Sequence, residues 1–191
     1  MPPERKSENE NMRTRIAAWL LVTSLGLGSS ALVPSVSAQT VREKQLAADV
    51  EAALLRLPYY DVFDNLGYAL GGHGTVILSG QVRTPWLRGS AEKAVKRVSG
   101  VDTVVNNIEV LPPSFNDDRI RTAVYRSLFY DSSLDRYAMG ANPSIRIVVK
   151  NGRVTLEGFV GNEMDKTIAG MKARQVFGVF EVTNNLAVDK T

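Results

Sequence analysis

The stretch 98–110, VSGVDTVVNNIEV, is the most informative part of the sequence, because the chain repeats it in similar form at 176–188 as VFGVFEVTNNLAV. A shift of 78 positions aligns the two stretches without a gap, and identical residues continue upstream as far as Gly74 and Gly152. Self-similarity of this density predicts a tandem duplication. Each copy has the size of a small domain rather than that of a solenoid repeat, which needs at least three units to bury a core.

Each copy predicts the same order of elements: a helix, a hairpin, a second helix and a last strand. Apolar residues recur with helical spacing at 46–57, and Pro58 ends that helix. Asn151-Gly152 lies between two alternating β-branched runs, which is typical of a hairpin, and His73-Gly74 takes this place in the first copy. The expected fold class is α+β, with two tandem αββαβ domains. Each domain is expected to be a three-stranded mixed sheet with two helices packed on one face.

The chain begins with a pattern typical of exported proteins. Two arginines precede a mostly apolar run at 16–28, and Val36-Ser37-Ala38 follows as a cleavage signature. A membrane anchor is the less favoured alternative, because the apolar run is shorter than the roughly 20 residues of a spanning helix. We therefore expect a periplasmic protein with a cleaved signal peptide. The predicted ranges are a signal peptide with an N-terminal extension at 1–38, a first domain at 40–111, a linker at 112–116 and a second domain at 117–189.

Composition argues against several classes of function. The chain has no cysteine, which excludes a lipid anchor on cysteine, disulfides, a catalytic thiol and thiolate metal sites. Its 23 basic and 20 acidic residues are too evenly balanced to predict nucleic-acid binding. The GGHG segment at 71–74 has the form of a nucleic-acid-binding GxxG loop, but its place between two strands favours a turn. We expect no enzymatic activity, no cofactor and no metal site.

Glycines and asparagines shared by the copies predict structural roles. Alternation places Gly80 and Gly158 on the inward side of a strand, where a missing side chain lets a helix lie close. Gly100 and Gly178 are placed as glycines that terminate the second helix. In each asparagine pair we expect the first side chain to tether a neighbouring loop or helix end from the core side and the second to face solvent; a ligand role is less favoured. The pairs are Asn106-Asn107 and Asn184-Asn185.

These features together resemble the BON domain family. The resemblance rests on a strand that ends in glycine, a short helix, a Gly-Val turn and a V-x-N-N-Φ-x-V strand, and the two copies together cover roughly 44–189. Both copies carry all four features. The resemblance implies a periplasmic, non-enzymatic protein of envelope maintenance or osmotic stress that binds phospholipid surfaces. The alternative that it leaves open is a chaperone-like or adaptor protein that binds exported envelope proteins.

Residues that differ between the copies are the candidates for function, because shared residues already serve the fold. In the first helix of the second copy, basic and aromatic side chains lie beside the core stripe, whereas the matched positions of the first copy are Ala47, Glu51 and Leu55. This mixture is typical of an anionic membrane interface, where rings lie among headgroups and arginines contact phosphates. Packing of Tyr125 and Phe129 against the other domain is the alternative interpretation. The candidate lipid- or partner-binding residues are Arg119, Arg121, Tyr125, Arg126, Phe129 and Tyr130.

Overall fold

The structure, a computed structural model, describes residues 35–130, 133–140 and 142–189, with side chains from residue 40 onward. The predicted signal peptide lies outside the described residues, apart from 35–38, whose backbone opens the first helix. None of the helices in this part of the chain combines the length and the apolar composition that crossing a membrane requires.

Both repeats adopt the predicted α+β architecture, with helices and strands in the order αββαβ. In the first repeat the elements are α1 (Ser35–Leu55), β1 (Asn65–Leu70), β2 (Thr75–Val82), α2 (Pro85–Val95), β3 (Thr103–Asn106) and β4 (Glu109–Val110). In the second repeat they are α3 (Phe115–Phe129), a short 3₁₀ helix (Asp135–Ala138), β5 (Ile145–Lys150), β6 (Arg153–Val160), α4 (Glu163–Arg174), β7 (Glu181–Asn184) and β8 (Ala187–Val188).

The second strand of each hairpin is the centre of a mixed sheet. β2 pairs antiparallel with β1 and parallel with β3 and β4, and β6 pairs in the same way with β5, β7 and β8. Alternate side chains of the central strands are fully buried in two separate cores, Val76 and Leu78 in one and Val154 and Leu156 in the other. The period-two alternation of these strands therefore positions both cores under the helices.

The first hairpin turn is one residue longer than the second. Leu70 pairs with Val76 across the first turn, whereas Val149 pairs with Val154 across the second. The residue before the glycine of each turn has a positive φ, 54° at His73 and 53° at Asn151, as a tight hairpin requires. The extra residue explains why the ungapped sequence identity stops at the turn.

The asparagine pairs interrupt the last strand, which the sequence predicted to be continuous. The side-chain Oδ1 of Asn106 accepts a hydrogen bond from the N–H of Ile108 at 3.2 Å, and Asn184 does the same for Leu186 at 3.3 Å. Such a bond to the backbone two residues on replaces a ladder bond and separates β3 from β4. The Nδ2 group of Asn106 also donates to the carbonyl of Arg88 in α2, at 3.2 Å. Each pair therefore combines a break in the strand with a connection to the second helix.

Asn184→Leu is expected to lower the free energy of unfolding by about 2 kcal/mol, because it removes two hydrogen bonds of a half-buried amide. One of them joins Nδ2 to the carbonyl of Lys166 in α4, at 2.7 Å. Asn185→Leu is the matched control, since the exposed side chain of Asn185 donates to the side chain of Glu157 on the sheet surface. We expect less than about 0.5 kcal/mol for the control. Urea denaturation measures both, and equal losses would contradict the assigned strand phasing.

Gly80 and Gly158 are required for a different reason from the one predicted. A Cβ atom at residue 80 would lie 2.1 Å from the carbonyl oxygen of Asn65, and one at residue 158 would lie 1.9 Å from that of Ser144. The atoms that approach thus belong to the backbone at the start of the first hairpin strand, and the prediction of a closely packed helix is wrong. Both glycines have a φ of 109°, which L-residues rarely adopt.

Gly100 and Gly178 lie beyond the second helices rather than at their ends. α2 ends at Val95 and α4 at Arg174, and a turn follows each helix before the glycine is reached. The glycines have positive φ values of 89° and 93°. They therefore shape the turn that leads into the last strand, and their predicted role as helix terminators is wrong.

The helix α3 begins inside the predicted linker 112–116. Ser114 is its N-cap, since its Oγ accepts a hydrogen bond from the N–H of Asp117 at 3.2 Å. The cap therefore precedes the acidic pair Asp117-Asp118 of the first turn. With Ser114 as the cap, Asp117 lies in the first turn of α3, and its buried carboxylate can accept hydrogen bonds from another segment.

The segment 60–64 of the first repeat packs against the second repeat. Val62 belongs to the second core, and its carbonyl accepts a hydrogen bond from the N–H of Ile147 on the edge of β5, at 2.8 Å. The guanidinium of Arg146 lies 4.3 Å from the centroid of the Tyr60 ring and donates to the carbonyl of Asp61 at 2.9 Å. The two repeats therefore form one compact unit.

Candidate functional site

Two of the α3 residues that were predicted to contact lipid, Arg121 and Phe129, are buried. Arg121 is only 4 % exposed and donates hydrogen bonds to the carbonyl of Val149 at 2.6 Å and to Asp118 at 2.5 Å. Phe129 is 8 % exposed, and its ring contacts Tyr125 at a centroid distance of 5.1 Å. Buried side chains cannot reach a membrane, so the prediction that Arg121 and Phe129 face lipid is wrong.

Tyr125 instead packs between the repeats. Its ring meets the edge of Phe63 in the first repeat at a centroid distance of 6.0 Å, which corresponds to the alternative interpretation. The exposed members of the predicted set are separated along the helix: Arg119 lies near its start, and Arg126 and Tyr130 lie near its end. Of the predicted residues, Arg119 lies beside exposed aromatic rings that were not in the predicted set.

A cluster of exposed phenylalanines lies at one end of the second repeat. Phe177 and Phe180 are 86 % and 83 % exposed and flank the Gly178 turn between α4 and β7. Phe115, at the start of α3, is 98 % exposed. We call residues 177–180 the aromatic loop, and the loop together with Phe115 and Arg119 the aromatic end. Large apolar side chains exposed in a group are typical of an interaction site.

The aromatic loop is held against the hairpin turn 151–152. The N–H of Phe180 donates to the carbonyl of Gly152 at 2.9 Å, and its ring lies over that glycine, within 2.6 Å of the position a Cβ would take. The buried carboxylate of Asp117 accepts hydrogen bonds from the N–H groups of Asn151 and Gly152, at 2.9 and 2.8 Å. The first turn of α3, the hairpin turn and the aromatic loop therefore form one rigid platform.

Basic side chains accompany the exposed rings. The guanidinium carbon of Arg119 lies 6.0 Å from the centroid of Phe177, at cation–π distance, and its Nη2 donates to Asn116 at 2.9 Å. Phe115 lies four residues before Arg119 and hence on the same side of the helix. Arg174 lines a shallow pocket beside Phe180. The aromatic end thus combines apolar rings with positive charge.

The first repeat lacks the aromatic loop. Ser99 and Asp102 stand where the second repeat has Phe177 and Phe180. This contrast lies inside the repeated motif, in VSGVD against VFGVF, and is visible in the sequence. The contrast lies outside the first helices, and the exposure of an isolated phenylalanine cannot be read from a pattern of period two or 3.6.

The described residues contain no group of three or more His, Cys, Asp or Glu side chains that could hold a metal ion. The carboxylate of Asp117 is fully engaged with the hairpin turn. What the aromatic end can do is insert its rings into an apolar phase while its arginines contact anions.

Comparison with known proteins gives a family match and a fold likeness. The BON domain family model matches residues 71–112 and 116–190. No curated protein matches the chain. The chain is similar to two solved structures of CdsD, a structural protein of the type III secretion system of Chlamydia trachomatis. One has 12% identity, coverage of 76% of this chain and 94% of the other, and a TM-score of 0.30; the second, of the C-terminal domain, has 12% identity, coverage of 75% and 97%, and a TM-score of 0.27.

Proposed function

The chain belongs to the BON domain family, and from this premise we propose that it is a non-enzymatic, periplasmic protein that binds anionic phospholipid surfaces through its aromatic end. Membership in this family supports a non-enzymatic role in the bacterial envelope. The choice of the aromatic end rests on one observation: Phe177 and Phe180 are exposed on a rigid turn beside Arg119.

The energetics of the aromatic end suit a membrane interface. Full burial of a phenylalanine side chain contributes about 1.5–3 kcal/mol, so two inserted rings supply several kcal/mol even when insertion is partial. Each basic residue near an anionic surface adds about 1 kcal/mol. Arg119 and Arg174 both lie close to the rings. Apolar insertion and headgroup attraction therefore act at the same place.

Preorganisation of the loop strengthens this proposal. The rings project from a turn whose backbone is bonded to the hairpin turn and, through Asp117, to α3. Holding the rings in place before contact reduces the conformational entropy lost on binding. The first repeat has the matching bond between loop and hairpin turn, from the N–H of Asp102 to the carbonyl of Gly74 at 2.8 Å, but not the rings, since Ser99 and Asp102 occupy the matched positions. Lipid contact is thus assigned to one repeat and not to both.

Co-sedimentation with vesicles tests the proposal. We expect the protein to bind vesicles that contain phosphatidylglycerol more tightly than vesicles of phosphatidylcholine, because of the arginines. Raising the salt concentration screens this attraction and leaves the apolar contribution in place. Binding to anionic vesicles should therefore weaken with salt without vanishing. Equal amounts of protein in the pellet with and without vesicles, at low salt, would contradict the proposal.

An adaptor role toward exported envelope proteins is the second candidate function. A groove of about 790 Å³ lies on the open face of the second sheet and is lined by Leu111 of the first repeat and by Val148 and Phe180 of the second. Lys150 and Arg153 line the same groove and are paired with Glu109 and Glu181, so an extended apolar segment would suit it. This function predicts suppression of the aggregation of an unfolded client protein in the absence of lipid, which phospholipid binding alone does not.

A further inference from the structure

The strand β7 is an edge of the second sheet, in which the strands lie in the order β5-β6-β7. In the described part of the chain, β6 is the strand that pairs with it, and no strand pairs with its other side. The unpaired side of an edge strand presents backbone N–H and C=O groups to which another strand can bind. This edge is therefore a surface on which an extended chain could be added.

The alternation of backbone bonds identifies the groups that β7 presents outward. The N–H of Asn185 donates to the carbonyl of Leu156 in β6, at 2.9 Å. In a strand, residues whose N–H groups bond one neighbour alternate with residues whose N–H groups point the other way. The N–H of Thr183 is therefore directed to β6, and those of Val182 and Asn184 are directed away from it.

Two cavities lie along this edge, one on each face of the sheet. A pocket of about 290 Å³ lies between β7 and the end of α4 and is lined by Val182 and Arg174. The groove of about 790 Å³ on the open face is lined by Thr183. Phe180 and Glu181 line both cavities. Because side chains of a strand point alternately to the two faces, a strand added to β7 would direct them in turn to the pocket and to the groove.

The opposite edge of the same sheet already carries an extended segment of the chain. The N–H of Ile147 in β5 donates to the carbonyl of Val62 at 2.8 Å, and Val62 is buried in the second core. Arg146 donates to the carbonyl of the preceding residue, Asp61, at 2.9 Å. An apolar side chain that turns inward and an arginine that holds the neighbouring residue thus secure an added segment at β5. The edge at β7 offers the same two elements, a pocket and Arg174.

We propose that β7 binds an extended peptide segment of a partner protein as an added strand, with an apolar side chain in the pocket and an acidic side chain at Arg174. This inference rests on the adaptor function and gives it a mode of binding; it does not depend on lipid binding. Main-chain hydrogen bonds supply affinity in this mode, and pockets for alternate side chains supply specificity. The acidic residue follows from charge: Glu181 lies 3.6 Å from Arg153, so Arg174 leaves the pocket with one net positive charge.

Hydrogen exchange of backbone amides in the full chain tests the site without any substitution. The probe is a peptide of alternating threonine and valine that ends in glutamate. The outward N–H of Val182 should exchange about tenfold more slowly when the free peptide is at about ten times its Kd. The matched N–H of Val104, on the edge strand β3 of the first repeat, should be unaffected. A peptide with every backbone amide methylated should protect neither, and absence of protection at Val182 up to the solubility limit of the probe would overturn the proposal.

Fluorescence anisotropy with the labelled probe tests the contacts by substitution. Val182→Pro removes the outward donor and should weaken binding at least about tenfold. Val104→Pro, at the matched position of the first repeat, is the control and should bind as the wild type does. Arg174→Gln should weaken binding about threefold, and only for the probe that ends in glutamate, not for one that ends in glutamine. Equal affinity of Val182→Pro and the wild type would overturn the proposal.

Two further measurements separate this inference from the adaptor function and from self-association. If the wild type and Val182→Pro suppress the aggregation of an unfolded client equally, the adaptor function stands and strand addition at β7 is overturned. If the wild type binds the probe but does not suppress aggregation, strand addition stands and the adaptor function is contradicted. Sedimentation velocity without peptide addresses the remaining occupant. A dimer that is lost in Val182→Pro would assign the edge to a second copy of the chain and overturn the proposal.

Discussion

Gly158→Ala is expected to unfold the second repeat or to lower its free energy of unfolding by more than about 3 kcal/mol. The new Cβ would lie 1.9 Å from the carbonyl oxygen of Ser144, a backbone atom that cannot rotate away. The φ of 109° adds strain of about 1–3 kcal/mol for any residue other than glycine. Relief of either problem would require β5 to separate from β6 where Ile145 pairs with Gly158. Urea denaturation followed by circular dichroism measures the loss.

Gly89→Ala is the matched control for this substitution. Gly89 lies within α2, where a Cβ would meet no atom within 4 Å. Alanine in a helix is favoured over glycine by about 0.5–1 kcal/mol, so this variant should be slightly more stable than the wild type. Equal behaviour of Gly158→Ala and Gly89→Ala would show that the close approach to β5 is not required for the fold.

The double substitution of Phe177→Ser with Phe180→Asp is expected to weaken binding to anionic vesicles at least about tenfold, since tenfold corresponds to only about 1.4 kcal/mol. The variant gives the aromatic loop the residues that the first repeat carries at the matched positions, Ser99 and Asp102. The same backbone turn already accommodates them there, so we expect the fold to persist. Vesicle co-sedimentation measures the affinity, and thermal denaturation verifies the fold.

Two further variants separate the causes of this loss. Phe177→Ser alone removes a ring without adding charge, and its effect should remain at high salt because insertion is not electrostatic. Tyr130→Ser is the control: Tyr130 is 80 % exposed but lies at the opposite end of α3. It should bind as the wild type does. If the double variant folds and binds anionic vesicles as tightly as the wild type, the aromatic end is not the lipid-contact surface.

The local architecture of each repeat could be predicted from its residues alone. The spacing of apolar residues on α1 and the alternation along β2 and β6 follow from helix and strand periods, which act within one element. The hairpin turn at Asn151-Gly152 requires a positive φ, and few residues adopt one, so the turn is readable from residue type. Repetition of these signals made the αββαβ order of both units predictable.

Which residues are available for function depends on tertiary packing. Arg121 and Phe129 share a helical face with exposed residues, but packing of 60–64 and β5 against α3 buries them. Phe177 and Phe180 lie in a turn, which has no periodicity from which burial or exposure could be predicted. The hairpin turn holds them outward. Exposure and the partners of a buried charge, such as the carbonyl of Val149 for Arg121, depend on segments far apart in the chain. Local periodicity contains no information about which distant segment covers a given face, and for this reason the site emerged only from the folded protein.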